Sequence, residues 1–393
     1  MRHRKLSTTS RGISNRGIAW SLLLLVICVL PLQAMPPIEV IQPVPIDRLI
    51  ANFERRLQEG PRDLEALLNL ARLHMMAYVL KSDTVPVAPG TTGAWTRDTR
   101  FGRVSIPPAR DNAAESRARQ HLEKAIDTYN AAVAVESTHV VARLGRAWCL
   151  EQAGRISEAM TGYRNVLEDV WPSERGGPRT AWSNYDLAAE VSGYLLPLLD
   201  PVRDRDEIAQ IRSRLQDTRP LVITVSPVLI PLAGGLNVSD LVDRSASVLF
   251  DADGNGIPES RSWISPNAGW LVFDKSGRKQ IDSGRSLFGN VTFWLFWDNG
   301  YHAMRALDDD DDGQLSGREL EGLAIWRDVN VNGVSDPGEV RTLAEWGIRS
   351  LSCRDRQSGD ANVLAWSPVG VTFEDGTTRP TYDVVLFPAP DAS

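Results

Sequence analysis

Apolar residues recur at three- and four-residue intervals over Ile46 to Leu57 and over Leu64 to Tyr78, with Glu59-Gly60-Pro61 breaking the pattern between them. A stretch rich in Pro, Gly and Thr (residues 81–113) then interrupts. The same period returns from Ala114 to about Val135, from Val140 to Ala153 and from Ile156 to Val170, the last two split at Gly154. Two further helices are predicted near Trp182 to Leu199 and Asp204 to Gln216. At Pro220 the period changes, and LVITVSPVLIPLAGG is β-rich with Pro and Gly punctuation. This predicts a multidomain chain: an all-α helical domain over 46–217 carrying the 81–113 insertion, a β-rich connector over 218–247, a small α+β module over 248–387 and a tail, 388–393. Seven tryptophans fall in that module, at Trp263, Trp270, Trp294, Trp297, Trp326, Trp346 and Trp366, and are expected to form its core.

The N-terminal segment, Met1 to Ala34, follows another pattern. A basic region precedes the apolar run Ile18 to Leu32, and Leu32-Gln33-Ala34 offers a cleavage site, as in a secretory signal peptide over 1–34. The run is short for a membrane span, so the mature chain is expected to have none; an uncleaved anchor is the alternative. The protein is therefore expected to be exported, to periplasm, cell surface or medium. The formal charge is -7 overall. The leader segment holds Arg2, Arg4, Lys5, Arg11 and Arg16 and no acids, so its removal makes the remainder more acidic than the whole. An acidic mature chain argues against nucleic acid as a partner and suits a cation binder. Cys149 and Cys353 lie in different predicted domains, which excludes a disulfide framework, and neither has metal-ligand spacing.

The chemistry concentrates in two twelve-residue loops. Asp308 to Glu319 is DDDDDGQLSGRE and Asp328 to Glu339 is DVNVNGVSDPGE. Each places oxygen side chains at loop positions 1, 3, 5 and 9, Gly at 6 and Glu at 12, the ligand order of an EF-hand calcium loop. Calcium takes six to eight oxygens. In the first loop Asp308, Asp310 and Asp312 would supply carboxylates, Gln314 its carbonyl, Ser316 a direct or water-mediated oxygen and Glu319 a bidentate carboxylate. Asp309 and Asp311 are expected to point outward. In the second, Asp328, Asn330, Asn332, the carbonyl of Val334, Asp336 and Glu339 fill the same positions with fewer charges, so weaker binding is expected. The second loop begins at Asp328, too soon after Glu319 for two complete helix-loop-helix units. Ser316 to Arg327 is thus predicted to be one helix serving both loops, with Leu320, Leu323, Ala324 and Arg327 on one face, and Val340, Leu343 and Ala344 to be the apolar face of an exit helix ending at Gly347.

Two upstream segments echo the pattern. Asp251, Asp253, Asn255, the carbonyl of Ile257 and Glu259 form D-x-D-x-N-G-x-x-E without a Glu at position 12, either a shorter calcium loop or an Asp/Gly turn. In Asp274 to Arg285, Arg278 and Lys279 replace the expected oxygen and glycine, which predicts a structural turn.

Two resemblances follow from these residues. LEALLNLARLHMMAY, HLEKAIDTYNAAVAVES and VVARLGRAWCLEQAGRISEAMTGYRNVLED resemble tetratricopeptide repeats, with Leu144, Gly145 and Trp148 on one helix facing Ala159 and Tyr163 on the next. The spacing from Gly145 to Ala159 is about two residues longer than that repeat's. An unrelated helical bundle is the alternative. The succession LFDADGNG, WISPNAGWLVFDKSG, LFGN, NGYHAMRALDDDDDG, LAIWRDVNVNGVSDPGEV and LAEWGI, over roughly Val248 to Cys353, resembles the EF-hand-like calcium-binding modules associated with RTX (haemolysin-type) exported bacterial proteins. That resemblance implies several acidic loops in one compact module with Ca2+ as ligand; the glycine-rich nonapeptide arrays of such proteins are absent. The helical resemblance implies a concave face for a protein partner.

The expected function is an exported calcium-binding protein without catalytic residues or an organic cofactor: no nucleophile elbow, HExxH, phosphate loop or Cys/His pair occurs. Its rivals are an adaptor acting through the helices with calcium purely structural, and calcium-triggered self-cleavage at Asp336-Pro337, since some RTX-associated proteins cut themselves at Asp-Pro.

Overall fold

The computed structural model describes residues 44–81, 84–85, 108–174, 187–216, 225–254 and 258–388. The expected leader, residues 86–107 of the insertion and residues 175–186 lie outside them. After a two-residue ladder of β1 (Val44–Pro45) with β2 (Thr84–Val85), the N-terminal half is helical: α1 (Ile46–Glu59), α2 (Leu64–Leu80), α3 (Asn112–Val135), α4 (Val140–Gln152), α5 (Ile156–Glu174), α6 (Leu187–Leu195) and α7 (Arg205–Gln216). The helices start where the sequence supplies caps. Asp63 accepts from the Ala66 amide at 3.0 Å, and Asp111 from the Ala114 amide at 2.7 Å. Small residues sit where helices approach. A Cβ on Gly145 would lie 2.3 Å from the Tyr129 ring of α3, and one on Gly162 would lie 2.8 Å from Ala147 Cβ of α4. Ala159 and Tyr163 of α5 are fully buried.

The C-terminal half is an antiparallel sheet with short helices. Its strands are β3 (Val228–Pro231), β6 (Ala268–Phe273), β7 (Gln314–Ser316), β8 (Leu323–Trp326), β9 (Val340–Thr342), β10 (Ile348–Ser352), β11 (Arg356–Gln357), β12 (Val363–Phe373) and β13 (Thr378–Val384). They run in the order β7-β10-β12-β13-β3-β6-β8-β9, with β11 beside β12. A separate hairpin pairs β4 (Val242–Phe250) with β5 (Glu259–Ile264), and two short helices, α8 (Val238–Leu241) and α9 (Gly300–Arg305), complete the half.

The chain forces this sheet to curl. From β7 to β8 is six strand steps, about 29 Å across a flat sheet at about 4.8 Å per step. The chain from Ser316 to Leu323 reaches at most about 25 Å, and a 3-10 turn at Gly317–Leu320 shortens that further. The sheet therefore bends into a half-barrel and brings its two ends toward each other.

The two halves share cores. Leu70, Leu73 and Met76 of α2 pack with Val228, Ile230, Leu271 and Phe273 of the sheet, while Leu67, Leu68, Ala71 and Met75 face α3 and α4. Asn69 fastens the contact: its Nδ2 donates to the Phe296 carbonyl and its Oδ1 accepts from the Phe296 amide, both at 2.7 Å. Trp263, Trp270, Trp297 and Trp326 are buried as expected of a core, whereas Trp346 and Trp366 are half-buried. The side chain of Trp294 lies outside the description.

Three local expectations are corrected. The stretch expected to be a connector, 218–247, contains β3, an interior strand between β13 and β6. The expected shared helix Ser316 to Arg327 is instead β7, one 3-10 turn and β8. Gly322, at φ +87°, breaks the path, and Leu323–Trp326 gain ladders on both sides, from β6 and β9. The expected exit helix after Glu339 is β9 followed by a 3-10 turn, though Gly347 does close that turn at φ +64°.

Candidate metal centre

Both acidic loops fold into the same shape by the same hydrogen bonds, although they share only the Asp, Gly and Glu at positions 1, 6 and 12. In the first, the carboxylate of Asp308 accepts from the amides of Asp312 (3.2 Å) and Gly313 (2.9 Å). In the second, Asp328 accepts from Asn332 (3.1 Å) and Gly333 (2.8 Å). At position 5, Asp312 Oδ1 accepts from the Gln314 amide and Asn332 Oδ1 from the Val334 amide, each at 2.7 Å. At position 12, Glu319 accepts from the amides of Asp309 (2.6 Å) and Ser316 (2.9 Å). Glu339 accepts from those of Val329 (2.8 Å) and Asp336 (3.1 Å). Positions 4 and 6 are left-handed in both: Asp311 and Val331 at φ +58°, Gly313 at +83° and Gly333 at +73°. The backbone thus wraps each loop around its own acidic side chains.

The flanks are not helix-loop-helix pairs. The first loop enters from α9, includes β7, whose Leu315 is buried, and ends within the 3-10 turn Gly317–Leu320. The second joins β8 to β9. Since β7 and β9 end the strand order, the loops occupy opposite ends of the curled sheet.

The donor chemistry fits a hard divalent cation. Carboxylate oxygens of Asp308, Asp310 and Asp312 all lie within 4.8 Å of one another. Asp308 is buried, and its pKa is pushed up to about 6, first by burial and then by the charges of Glu319, Asp311 and Asp312, against the bond from Gly313. Crowded carboxylates of this kind lose their mutual repulsion when a cation enters. In the second loop Asp328 is fully buried and also accepts from the Trp263 indole at 2.8 Å. Glu339 is buried too, while the side-chain Nδ2 groups of Asn330 (2.8 Å) and Asn332 (3.0 Å) donate to Asp336 Oδ2.

The upstream segments differ. Asp251 and Asp253 are buried, but Asn255 and Ile257 lie outside the described residues. Glu259 opens β5 and accepts from the buried Arg261 guanidinium, and Arg285 donates to the Gly254 carbonyl. Two guanidinium groups beside this segment oppose a bound cation. Asp274 heads a turn as expected: its Oδ2 accepts from the Lys279 amide at 2.9 Å, with Lys279 at φ +60°.

Sequence patterns missed what grips the first loop from outside. Asp309 does not point freely outward. Arg48 Nε and Asn52 Nδ2 of α1 both donate to its Oδ1 at 2.9 Å. Asp311 accepts from Arg305 at 3.3 Å. The α1 residues lie more than 250 positions away, where no local spacing could reveal them.

The fold and these loops define a class: a helical N-terminal half packed on a curled antiparallel sheet that carries two acidic loops of one hydrogen-bond pattern. Within it, residues 234–387 match a family described as the SPM domain. Over 150 residues, 36% of this chain, the sequence is 35% identical to the iron-regulated protein FrpA of Neisseria meningitidis serogroup C. The match spans 13% of that protein, so the chain covers a small part of its relative's length. Among the described residues no helix is long and apolar enough to cross a membrane.

Proposed function

We propose that this is an exported calcium-binding protein in which Ca2+ at Asp308–Glu319 and Asp328–Glu339 folds and stiffens the C-terminal sheet. The helical half would serve as a tetratricopeptide-like surface for a protein partner. The observation that carries the calcium reading is the shared wiring of the two loops. Loops that agree in sequence only at positions 1, 6 and 12 are held by one hydrogen-bond pattern through the side-chain oxygens of positions 1, 5 and 12, and those three positions are calcium ligands in an EF-hand loop. Asp308, Asp310, Asp312, the Gln314 carbonyl, Ser316 and Glu319 would hold one ion. Asp328, Asn330, Asn332, the Val334 carbonyl, Asp336 and Glu339 would hold the other. The resemblance to RTX-associated modules and the leader-like segment Met1 to Ala34 support export.

This reading assigns no catalytic step. The rival is calcium-triggered cleavage at Asp336-Pro337, whose Asp336 carboxylate accepts here from the side-chain amides of Asn330 and Asn332. Incubation of the purified chain with Ca2+ and inspection on a denaturing gel is expected to show one uncut band.

Free Ca2+ at about 100-fold above the dissociation constant adds about 2.7 kcal/mol per site. Thermal melting of the full chain is therefore expected to rise with Ca2+ and fall on chelation, and Glu319→Gln combined with Glu339→Gln is expected to abolish the response. A melting temperature indifferent to chelation overturns the reading.

A further inference from the structure

We propose that α1 is a calcium-responsive element: its docking and the occupancy of the first loop are coupled, through Arg48, Asn52 and Arg55. The inference rests on the calcium reading of Asp308–Glu319. Three consecutive carbonyls lead into that loop, and α1 holds each of them. Asn52 Nδ2 donates to Ala306 O at 2.9 Å, Arg48 Nη2 to Leu307 O at 2.8 Å, and Arg55 Nη2 to Asp308 O at 2.8 Å. Positions 48, 52 and 55 are spaced by four and three, so they form one stripe of the helix. Asn52 is 8% exposed and also accepts from Arg55 at 3.2 Å, which ties the stripe together.

The stripe reaches the ligands through one residue. The carboxylate of Asp309 is held by Arg48 and Asn52, and its amide donates to Glu319, the position-12 ligand. A Glu319 that turns to grip an ion with both oxygens acts on the Asp309 backbone, and Asp309 is pinned to α1. Arg55 meanwhile fixes the carbonyl of Asp308, the position-1 ligand. Groups outside the coordination sphere that orient ligands in this way commonly set metal affinity by about 10–100-fold. Coupling between two equilibria is reciprocal, so an ion in the loop also holds α1 down. Beneath the stripe, Leu49, Ile50 and Phe53 are buried, and Phe53 stacks on Trp297 with centroids 5.9 Å apart. Release of α1 would therefore uncover part of the core shared with the sheet.

The second loop supplies the internal control. Its position-2 residue, Val329, is 51% exposed, and its position-1 carboxylate is braced by Trp263 instead of by α1. The coupling is thus confined to the first site.

The test uses calorimetric Ca2+ titration of the full chain, with Glu339→Gln to isolate the first site and Glu319→Gln to isolate the second. Asn52→Ala removes both of its bonds to the loop segment and the one from Arg55 without changing charge. It is expected to weaken the first site about tenfold and to leave the second unchanged. A second measurement needs no clamp variant. Hydrogen exchange of the α1 amides is expected to slow with Ca2+ in the unmodified chain and in Glu339→Gln, but not in Glu319→Gln. Normal uptake at the first site in Asn52→Ala, or α1 exchange indifferent to Ca2+ in a chain that binds it, overturns the coupling alone. No uptake by the unmodified chain overturns the calcium reading and the coupling with it.

Discussion

Gly313 and Gly333 occupy the same loop position with left-handed backbones, yet their surroundings differ. A Cβ on Gly333 would meet the Leu249 carbonyl at 2.8 Å and Val248 Cγ1 at 2.5 Å; one on Gly313 would meet only the Arg354 side chain, nearest at 2.5 Å. A backbone carbonyl cannot swing aside as a guanidinium can. Both Gly→Ala substitutions strain the backbone by about 1–3 kcal/mol, and Gly333→Ala adds the clash. It is expected to lower the melting temperature more than Gly313→Ala does, measured side by side without calcium. At this scale the sequence was informative about the loops themselves. Position, residue type and the glycine requirement are local, and both glycines adopt the left-handed backbone that the sharp turn demands. The supports were not legible. Trp263 beneath Asp328 and the α1 stripe beside Asp309 are brought in by tertiary packing, and no spacing rule links them.

Elements were legible where their hydrogen bonds are local. The 3.6-residue period predicted α1 to α5 closely, because a helix satisfies its backbone within the segment. Leu320 to Arg327 misled for the converse reason. Its apolar residues fit a helix face, but Leu323–Trp326 find ladders on both sides in β6 and β9, partners set by tertiary structure. A joint between elements carries a pH signature. His302 of α9 meets Glu65 of α2 at 2.6 Å, and Arg56 of α1 bonds Glu65 at 3.2 Å. Burial pulls the His302 pKa down, but the bond and charge of Glu65, with Asp355 and Asp298, outweigh it and leave the pKa above its ordinary value. A histidine whose folded pKa is raised stabilises fully below about pH 6.5 and loses that contribution as pH climbs through the folded value. His302→Gln is therefore expected to cost more melting temperature at about pH 6 than at about pH 9. His74 works in the opposite sense. Burial first, then His121 and Lys124, lower its pKa to about 3, so it disfavours the folded state as pH falls. The comparison of variant with parent at each pH cancels that background.

At the scale of the molecule, the stretch that matches the SPM family is not the folding unit. The match begins at residue 234, after β3 has ended at Pro231. Yet β3 is the strand on which the sheet closes: it pairs Leu229 with Trp270 of β6 and with Tyr382 of β13. Without it the order β7-β10-β12-β13-β3-β6-β8-β9 falls into two pieces, one carrying each acidic loop. Val228, Leu229 and Ile230 are all but fully buried. At about 1.5–3 kcal/mol for each such side chain they contribute about 5–9 kcal/mol, comparable with the whole stability of a typical domain, about 5–15 kcal/mol. β-rich composition alone does not say whether a segment links domains or fills a gap in a sheet, so 218–247 could be read as a connector. Because α1 and α2 complete the core against this sheet, the test is made in the full chain: Leu229→Asp is expected to make it protease-sensitive and to lower its melting temperature sharply, while the unmodified chain resists protease and melts cooperatively. Equal protease resistance and equal melting of the two would show that β3 is dispensable and that the half-barrel is two independent halves.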